Sequence, residues 1–132
     1  MEESMRSYWL THKGRRVFVA DYSGLGDDWE AIYAEGQLVI SELIKEPKDS
    51  VLVIIDVNQT HASIANSAMF KKILEQSSGH VRKRAVIGLT VSTRYFVTTL
   101  MHIAGKASIT PCDSLEKALD WLVEENIATE IK

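Results

Sequence analysis

Two polar stretches of this 132-residue chain carry the side chains best suited to chemistry. The first is DVNQTHAS, residues 56–63, and the second is TVSTR, residues 90–94. Each stretch follows an apolar run and precedes a helical pattern, so both are expected where a strand passes into a helix. Backbone N–H groups at a helix start attract negative charge, and an arginine adds a cationic donor. The pattern therefore indicates a site for a small anionic ligand, with these candidate residues: Asp56, Asn58, Thr60, His61, Ser92, Thr93 and Arg94.

Helix capping explains the same residue types without any ligand. Serine and threonine often begin helices because their hydroxyl oxygen accepts a hydrogen bond from a backbone N–H group. An aspartate at the end of a strand commonly bonds to the loop that follows, and Arg94 can simply cover surface. Capping is therefore the simpler interpretation of these residues, and ligand binding is the hypothesis that a structure can test.

Catalysis and metal binding have weaker support in the sequence. Asp56 and His61 have the residue types of an acid–base pair, but no G-x-S-x-G motif supplies a nucleophile. Cys112 follows a proline and is interpreted either as a reactive thiol or as a partly buried, inert one. The histidines share no spacing typical of metal ligands; they are His12, His61, His80 and His102. We therefore expect no enzymatic activity, no metal and no cofactor.

Composition narrows the classes of protein further. The formal net charge of −3 is small and has the wrong sign for nucleic-acid binding. A single cysteine rules out an intramolecular disulfide and fits the reducing cytoplasm. Residues 85–105 are long enough to be considered as a membrane span, but Arg94 lies near their centre, where a charge is costly. The sequence thus predicts a cytoplasmic protein with no membrane span and no nucleic-acid partner.

The strands and helices that would position the candidate residues can be inferred from the spacing of apolar residues, which alternates along the chain between strand and helix periods. Lys13 and Gly14 separate two short runs of strand character, which predicts a β-hairpin. Strands are predicted at residues 8–12, 15–20, 51–57, 84–89 and 107–110, and helices after residue 27, at 63–76, at 92–103 and after residue 114. This order predicts one α/β domain over residues 1–132 with a mixed β-sheet. An antiparallel hairpin forms its edge, parallel strands follow, and about four helices cover it.

Three features outside the candidate site carry their own expectations. Gly36 interrupts the first helical pattern, and close packing of that helix on the sheet would explain a glycine there. The basic stretch HVRKR, residues 80–84, is interpreted as a solvated loop, with contact to an acidic partner as the alternative. Trp121 lies off the apolar stripe of the last helix and is expected to pack against a neighbouring segment, with an exposed protein interface as the alternative.

Three short stretches also carry a family likeness. They are VLVIIDV at residues 51–57, RAVIGL at residues 84–89 and SLEKALDWL at residues 114–122. Together they resemble the STAS domain of bacterial anti-sigma-factor antagonists, and more closely the SpoIIAA-like group of small bacterial proteins. That group is also likened to the lipid-binding CRAL-TRIO fold. The likeness covers nearly the whole chain, and the last of the three stretches is its most specific part.

The resemblance implies a non-enzymatic regulatory or protein-interaction module that works as a homodimer or with a protein partner. Sporulation-type antagonists carry an Asp-Ser-Ser-Gly-like stretch with a phosphorylated serine where this chain has DVNQTHASIANS. No Ser-Gly pair occurs within that stretch, so Thr60, Ser63 and Ser67 are only candidates for phosphorylation. The alternative is a carrier of a small molecule or lipid. Its cleft would lie at the carboxyl edge of the parallel strands and take an anionic or apolar ligand.

Overall fold

The sheet begins with the predicted hairpin. The structure is a computed structural model that describes residues 5–60, 64–89 and 109–124; of residues 64–67 it describes only the backbone. Strands β1 (Tyr8–His12) and β2 (Arg15–Asp21) pair antiparallel. Lys13 and Gly14 both have positive φ angles, 52° and 80°. Two such residues in succession form the kind of tight turn whose twist matches that of the two strands. The hairpin prediction is therefore confirmed.

Three further strands join the sheet in chain order. They are β3 (Val51–Asp56), β4 (Val81–Ile87) and β5 (Ile109–Pro111), all parallel to β2. The resulting order β1-β2-β3-β4-β5 has one antiparallel edge strand, as predicted. Because β2 to β5 are parallel, their carboxyl ends and the loops that follow lie along one edge of the sheet.

The three described helices lie on both faces of the sheet. Helices α1 (Trp29–Leu43) and α2 (Ile64–Ser77) lie on one face, where Phe18 and Val53 are buried. Helix α3 (Leu115–Val123) packs on the opposite face. The side chains that it covers there include Val17, Leu52, Ile54 and Ala85. A strand whose side chains are buried on both faces reads as a continuous apolar run, which is why VLVII is so distinct in the sequence.

Three of the four predicted helices are present, and the predicted helix at residues 92–103 lies outside the described residues. Asp28 begins α1, because its Oδ1 atom accepts a hydrogen bond of 3.1 Å from the backbone N–H of Ala31. Ser114 begins α3 in the same way. Within the described residues, no helix combines the length and the apolar character needed to span a membrane.

The expectation that residues 80–84 form a solvated loop is wrong. Strand β4 begins at Val81, and the alternation of side chains along it turns Arg84 into the protein interior. Its Nη2 atom donates to the carbonyl of Leu74, at 3.1 Å, and to Oγ of Ser77, at 3.4 Å. Burial lowers the pKa of Arg84 to about 10. The guanidinium group satisfies the carbonyl of Leu74 at the end of α2, which no later turn of that helix could reach.

The expected reason for Gly36 is also corrected. A Cβ atom at this position would overlap the side chain of Ile73 on α2, lying 2.9 Å from its Cγ1 atom. The glycine therefore permits a close contact between α1 and α2, rather than between α1 and the sheet. Trp121 packs as expected, since the ammonium group of Lys83 lies 3.9 Å from its ring centroid and donates to its carbonyl at 2.8 Å.

Candidate functional site

A cleft of about 560 Å³ opens at the carboxyl edge of the parallel strands. Three loops form it, and they follow β3, β4 and β5. Its polar walls come from residues in all three loops: Asp56, Asn58, Gly88, Cys112, Asp113 and Ser114. Tyr8 from β1 and Leu115 from the first turn of α3 stand at its rim, 44% and 37% exposed.

The first wall is a turn closed by Asp56. Its Oδ1 atom accepts hydrogen bonds from the backbone N–H of Asn58, at 3.0 Å, and from Nδ2 of the same residue, at 2.9 Å. Aspartate is common in such turns because its short side chain reaches the backbone two residues ahead. Gln59 follows with a positive φ of 59°. Asp56 is therefore both the end of β3 and the anchor of the loop that leaves it.

The second wall depends on Gly88. Its φ of +89° lies in the left-handed region that favours glycine, and a Cβ atom there would lie 2.5 Å from the backbone nitrogen of Asn58. A hydrogen bond of 3.1 Å from Val57 N–H to the carbonyl of Ile87 joins the same two loops. The loops after β3 and β4 therefore touch directly, and any larger residue at position 88 would push them apart.

The third wall is the connection between β5 and α3. Cys112 extends the pairing of β5, since its N–H donates to the carbonyl of Val86 at 2.8 Å. Ser114 Oγ then accepts from the N–H of Lys117 at 3.2 Å and begins α3. Burial, and to a lesser degree the charge of Asp113, raise the pKa of the Cys112 thiol. The thiol is thus partly buried and held in its protonated form, which is the weaker nucleophile.

Thr60 lies outside the cleft, although the sequence placed it among the candidates. Its hydroxyl group donates to the carbonyl of Tyr22 and accepts from the N–H of Leu25 at 3.1 Å. Only 7% of the residue is exposed. Three backbone hydrogen bonds also join the loop at residues 22–26 to residues 56–59. Thr60 therefore holds the two loops together. A phosphate on its hydroxyl would break the hydrogen bond that this hydroxyl donates to the carbonyl of Tyr22.

The other predicted site residues divide into two groups. Asp56 and Asn58 line the cleft, as the sequence interpretation expected of a site at this edge. Outside the described residues lie His61, Ser63, Ser92, Thr93 and Arg94, together with the side chain of Ser67. Sequence reasoning weighed Cys112 as a reactive thiol, but it did not place Tyr8, Gly88 or residues 112–115 in a site at this edge. The run P-C-D-S before the last helix was the available signal for the third wall, because it marks the carboxyl end of another parallel strand.

The described lining of the cleft is acidic. It contains the carboxylates of Asp56 and Asp113, and none of the described lining residues is lysine or arginine. Outside this lining, the Nζ atom of Lys117 lies 3.6 Å from Oδ2 of the exposed Asp113, and the charge of Lys83 acts on Cys112. These walls offer hydrogen-bond acceptors rather than the cationic donors expected for an anion. Across the described part of the chain, no three histidine, cysteine or acidic side chains are grouped so that they could hold a metal ion.

The comparisons with known proteins add no family assignment. No family model matches this sequence, and a search of curated proteins finds no significant match.

Proposed function

We propose that this chain is a non-enzymatic regulatory module that binds a small polar ligand in the carboxyl-edge cleft. The observation that carries the proposal is the meeting of three loops, from three adjacent parallel strands, around one cleft of about 560 Å³. Ligand sites in open α/β sheets are found at this edge. The volume is within the range typical of small-molecule sites.

The side chains that line the cleft favour a ligand rich in hydrogen-bond donors. The carboxylates of Asp56 and Asp113 accept hydrogen bonds, and the ring of Tyr8 at the rim can cover an apolar or cationic surface. Amines and polyhydroxyl compounds have the matching groups. A lipid would bring an apolar surface against these charged carboxylates and displace water from them, which is unfavourable. The polar walls therefore support a polar ligand over the lipid of the carrier alternative.

A binding role agrees better than catalysis with the one thiol of the cleft. The raised pKa of Cys112 keeps its sulfur protonated near neutral pH. The regulatory part of the proposal rests on the resemblance to anti-sigma-factor antagonists, which implies a regulatory or protein-interaction module. A free cysteine suits the cytoplasm, where we expect the module to work.

Native mass spectrometry of freshly purified protein tests the proposal. We expect a bound small molecule on the wild-type chain and on Cys112→Ser, which keeps the shape of the cleft. Cys112→Trp fills the cleft and should lose the bound mass while keeping its circular dichroism spectrum. Wild-type protein that carries no small molecule from any preparation would contradict the proposal, as would a folded Cys112→Trp variant that retains it.

A further inference from the structure

The outer surface of α1 and α2 exposes an aromatic groove. Trp29 is 55% exposed and Tyr33 is 48% exposed. With Gln37 they stand on α1 at intervals of four residues, opposite Met69 and Lys72 of α2. The groove between them measures about 280 Å³. We call these five residues the α1–α2 face; none of them lines the carboxyl-edge cleft.

The exposure of Trp29 is unusual within this chain. Trp9 packs edge-on against Phe18, with ring centroids 5.0 Å apart, and Trp121 packs under Lys83. The residues on the outer side of a surface helix are normally polar. Tryptophan and tyrosine are enriched at protein interfaces, where they supply much of the binding energy. An exposed pair one helical turn apart therefore indicates a surface that another protein covers.

The charges beside the groove differ between its two sides. The first turn of α1 and the residues before it carry Asp27, Asp28 and Glu30, with no basic residue between positions 27 and 33. The groove side of α2 carries Lys72, with no acidic residue between positions 64 and 74. Both helices connect neighbouring parallel strands, so they run in the same direction. The α1–α2 face is thus flanked by acidic residues at the start of α1 and carries a basic residue on α2.

We propose that the α1–α2 face binds the same face of a second copy of this chain. A two-fold axis parallel to the helices would lay the acidic α1 of each copy on the basic α2 of its partner. An axis perpendicular to the helices would instead lay α1 on α1, and like charges would meet. Charge complementarity therefore selects the first arrangement. It brings Glu30 of each copy near Lys72 of the other and buries both Trp29 side chains.

Sedimentation velocity on the full-length chain tests the dimer. At about 100 μM, a concentration suited to a modest interface, we expect dimers. They should dissociate as NaCl rises from about 0.05 to 0.5 M, because salt screens the paired charges. Trp29→Glu should weaken dimerisation by about 30-fold or more. Ile44→Glu is the matched control: it changes an equally exposed apolar residue at the far end of α1 and should leave the dimer intact.

A charge exchange tests the arrangement of the two copies. Glu30→Lys and Lys72→Glu should each weaken the dimer, because each brings like charges together, and the double variant should recover it. A wild-type chain that stays monomeric overturns the proposal. A wild-type dimer whose affinity Trp29→Glu leaves unchanged would also overturn the proposal, since the interface would then lie elsewhere. Failure of the double variant to recover, with all variants folded by circular dichroism, would overturn the two-fold arrangement.

Discussion

Asn58 lies so close to Gly88 that a Cβ atom on the glycine would fall 2.8 Å from the Cα atom of Asn58. This contact joins the loops after the two central parallel strands, which form two walls of the cleft. It also combines two requirements, a left-handed backbone at Gly88 and empty space beside it, that only glycine satisfies.

Gly88→Ala should therefore destabilise the protein by about 2–4 kcal/mol, because a left-handed alanine is strained and its methyl group meets backbone. Urea denaturation measures the free energy of unfolding. Gly24→Ala is the control: Gly24 has a φ of +71° but no neighbouring atom within 4 Å of a Cβ. That variant should lose only about 1–2 kcal/mol. Equal losses at the two positions would show that the contact with Asn58 contributes nothing.

Gly36→Ala should also destabilise, although alanine has the higher helix propensity. The gain of about 1 kcal/mol in propensity should be exceeded by the overlap with Ile73, at about 1–3 kcal/mol. Thermal unfolding followed by circular dichroism measures the change. Gly79→Ala has no neighbour within 4 Å and serves as the control, with little change expected. A Gly36→Ala protein that melts higher than the wild type would contradict the packing of α1 on α2.

Tyr22 should make the protein sensitive to alkaline pH. Burial, followed by the charge of Glu35, raises the pKa of its hydroxyl well above the ordinary value of 10.0. The folded chain then keeps a proton that the unfolded chain releases above pH 10, so the free energy of unfolding falls as pH rises beyond that point. Tyr22→Phe should flatten this fall, measured by urea titrations at increasing pH. The same change at the exposed Tyr33 is the control, and a slope unaltered by Tyr22→Phe would contradict the prediction.

Asp120 links the hairpin to α3 and should respond to acid. Its Oδ1 atom lies 2.8 Å from Nε2 of His12 and 3.3 Å from Nζ of Lys13. Hydrogen bonds from His12 and then Lys13 lower the pKa of this carboxyl group. A carboxylate with a lowered pKa contributes stability that is lost as pH falls through that pKa. The protection of β1 amides, measured relative to their intrinsic exchange rate at each pH, should fall on acidification, and Asp120→Asn should show the lower protection already at neutral pH. Protection in the wild type that does not change with acid would argue against this link.

Much of the fold was predictable from particular residues, and the misses have physical causes. VLVII and the Lys13-Gly14 turn identify the central strand and the hairpin, because periodicity and turn chemistry are local properties. The start of β4 was mispredicted as a loop because of its basic residues. In the sequence, a buried arginine that donates to a helix carbonyl, as Arg84 does, cannot be told from an arginine in a solvated basic loop. Local patterns cannot show where a lone basic side chain points.

The candidate site was predictable only in part, for a related reason. Asp56 and Asn58 follow the most obvious strand, so their place at the carboxyl edge could be inferred. Thr60 belongs to the same stretch, yet its side chain turns to Tyr22 because of a loop 38 residues earlier in the chain. Tyr8 and Cys112 reach the cleft only because the edge strand and the last strand border it. Contacts between distant segments are set by strand order and register.

The most direct test of the binding proposal uses Cys112, the single cysteine of the chain, as a reporter inside the cleft. Freshly purified protein and protein stripped of ligand by unfolding, dialysis and refolding are alkylated with iodoacetamide at about pH 8.5, where an ordinary thiol is half ionised. Full alkylation of both samples in denaturant is the control for an intact thiol. The proposal predicts faster alkylation of the stripped, folded protein, because a bound ligand shields the sulfur. Equal rates in the two folded samples would contradict it.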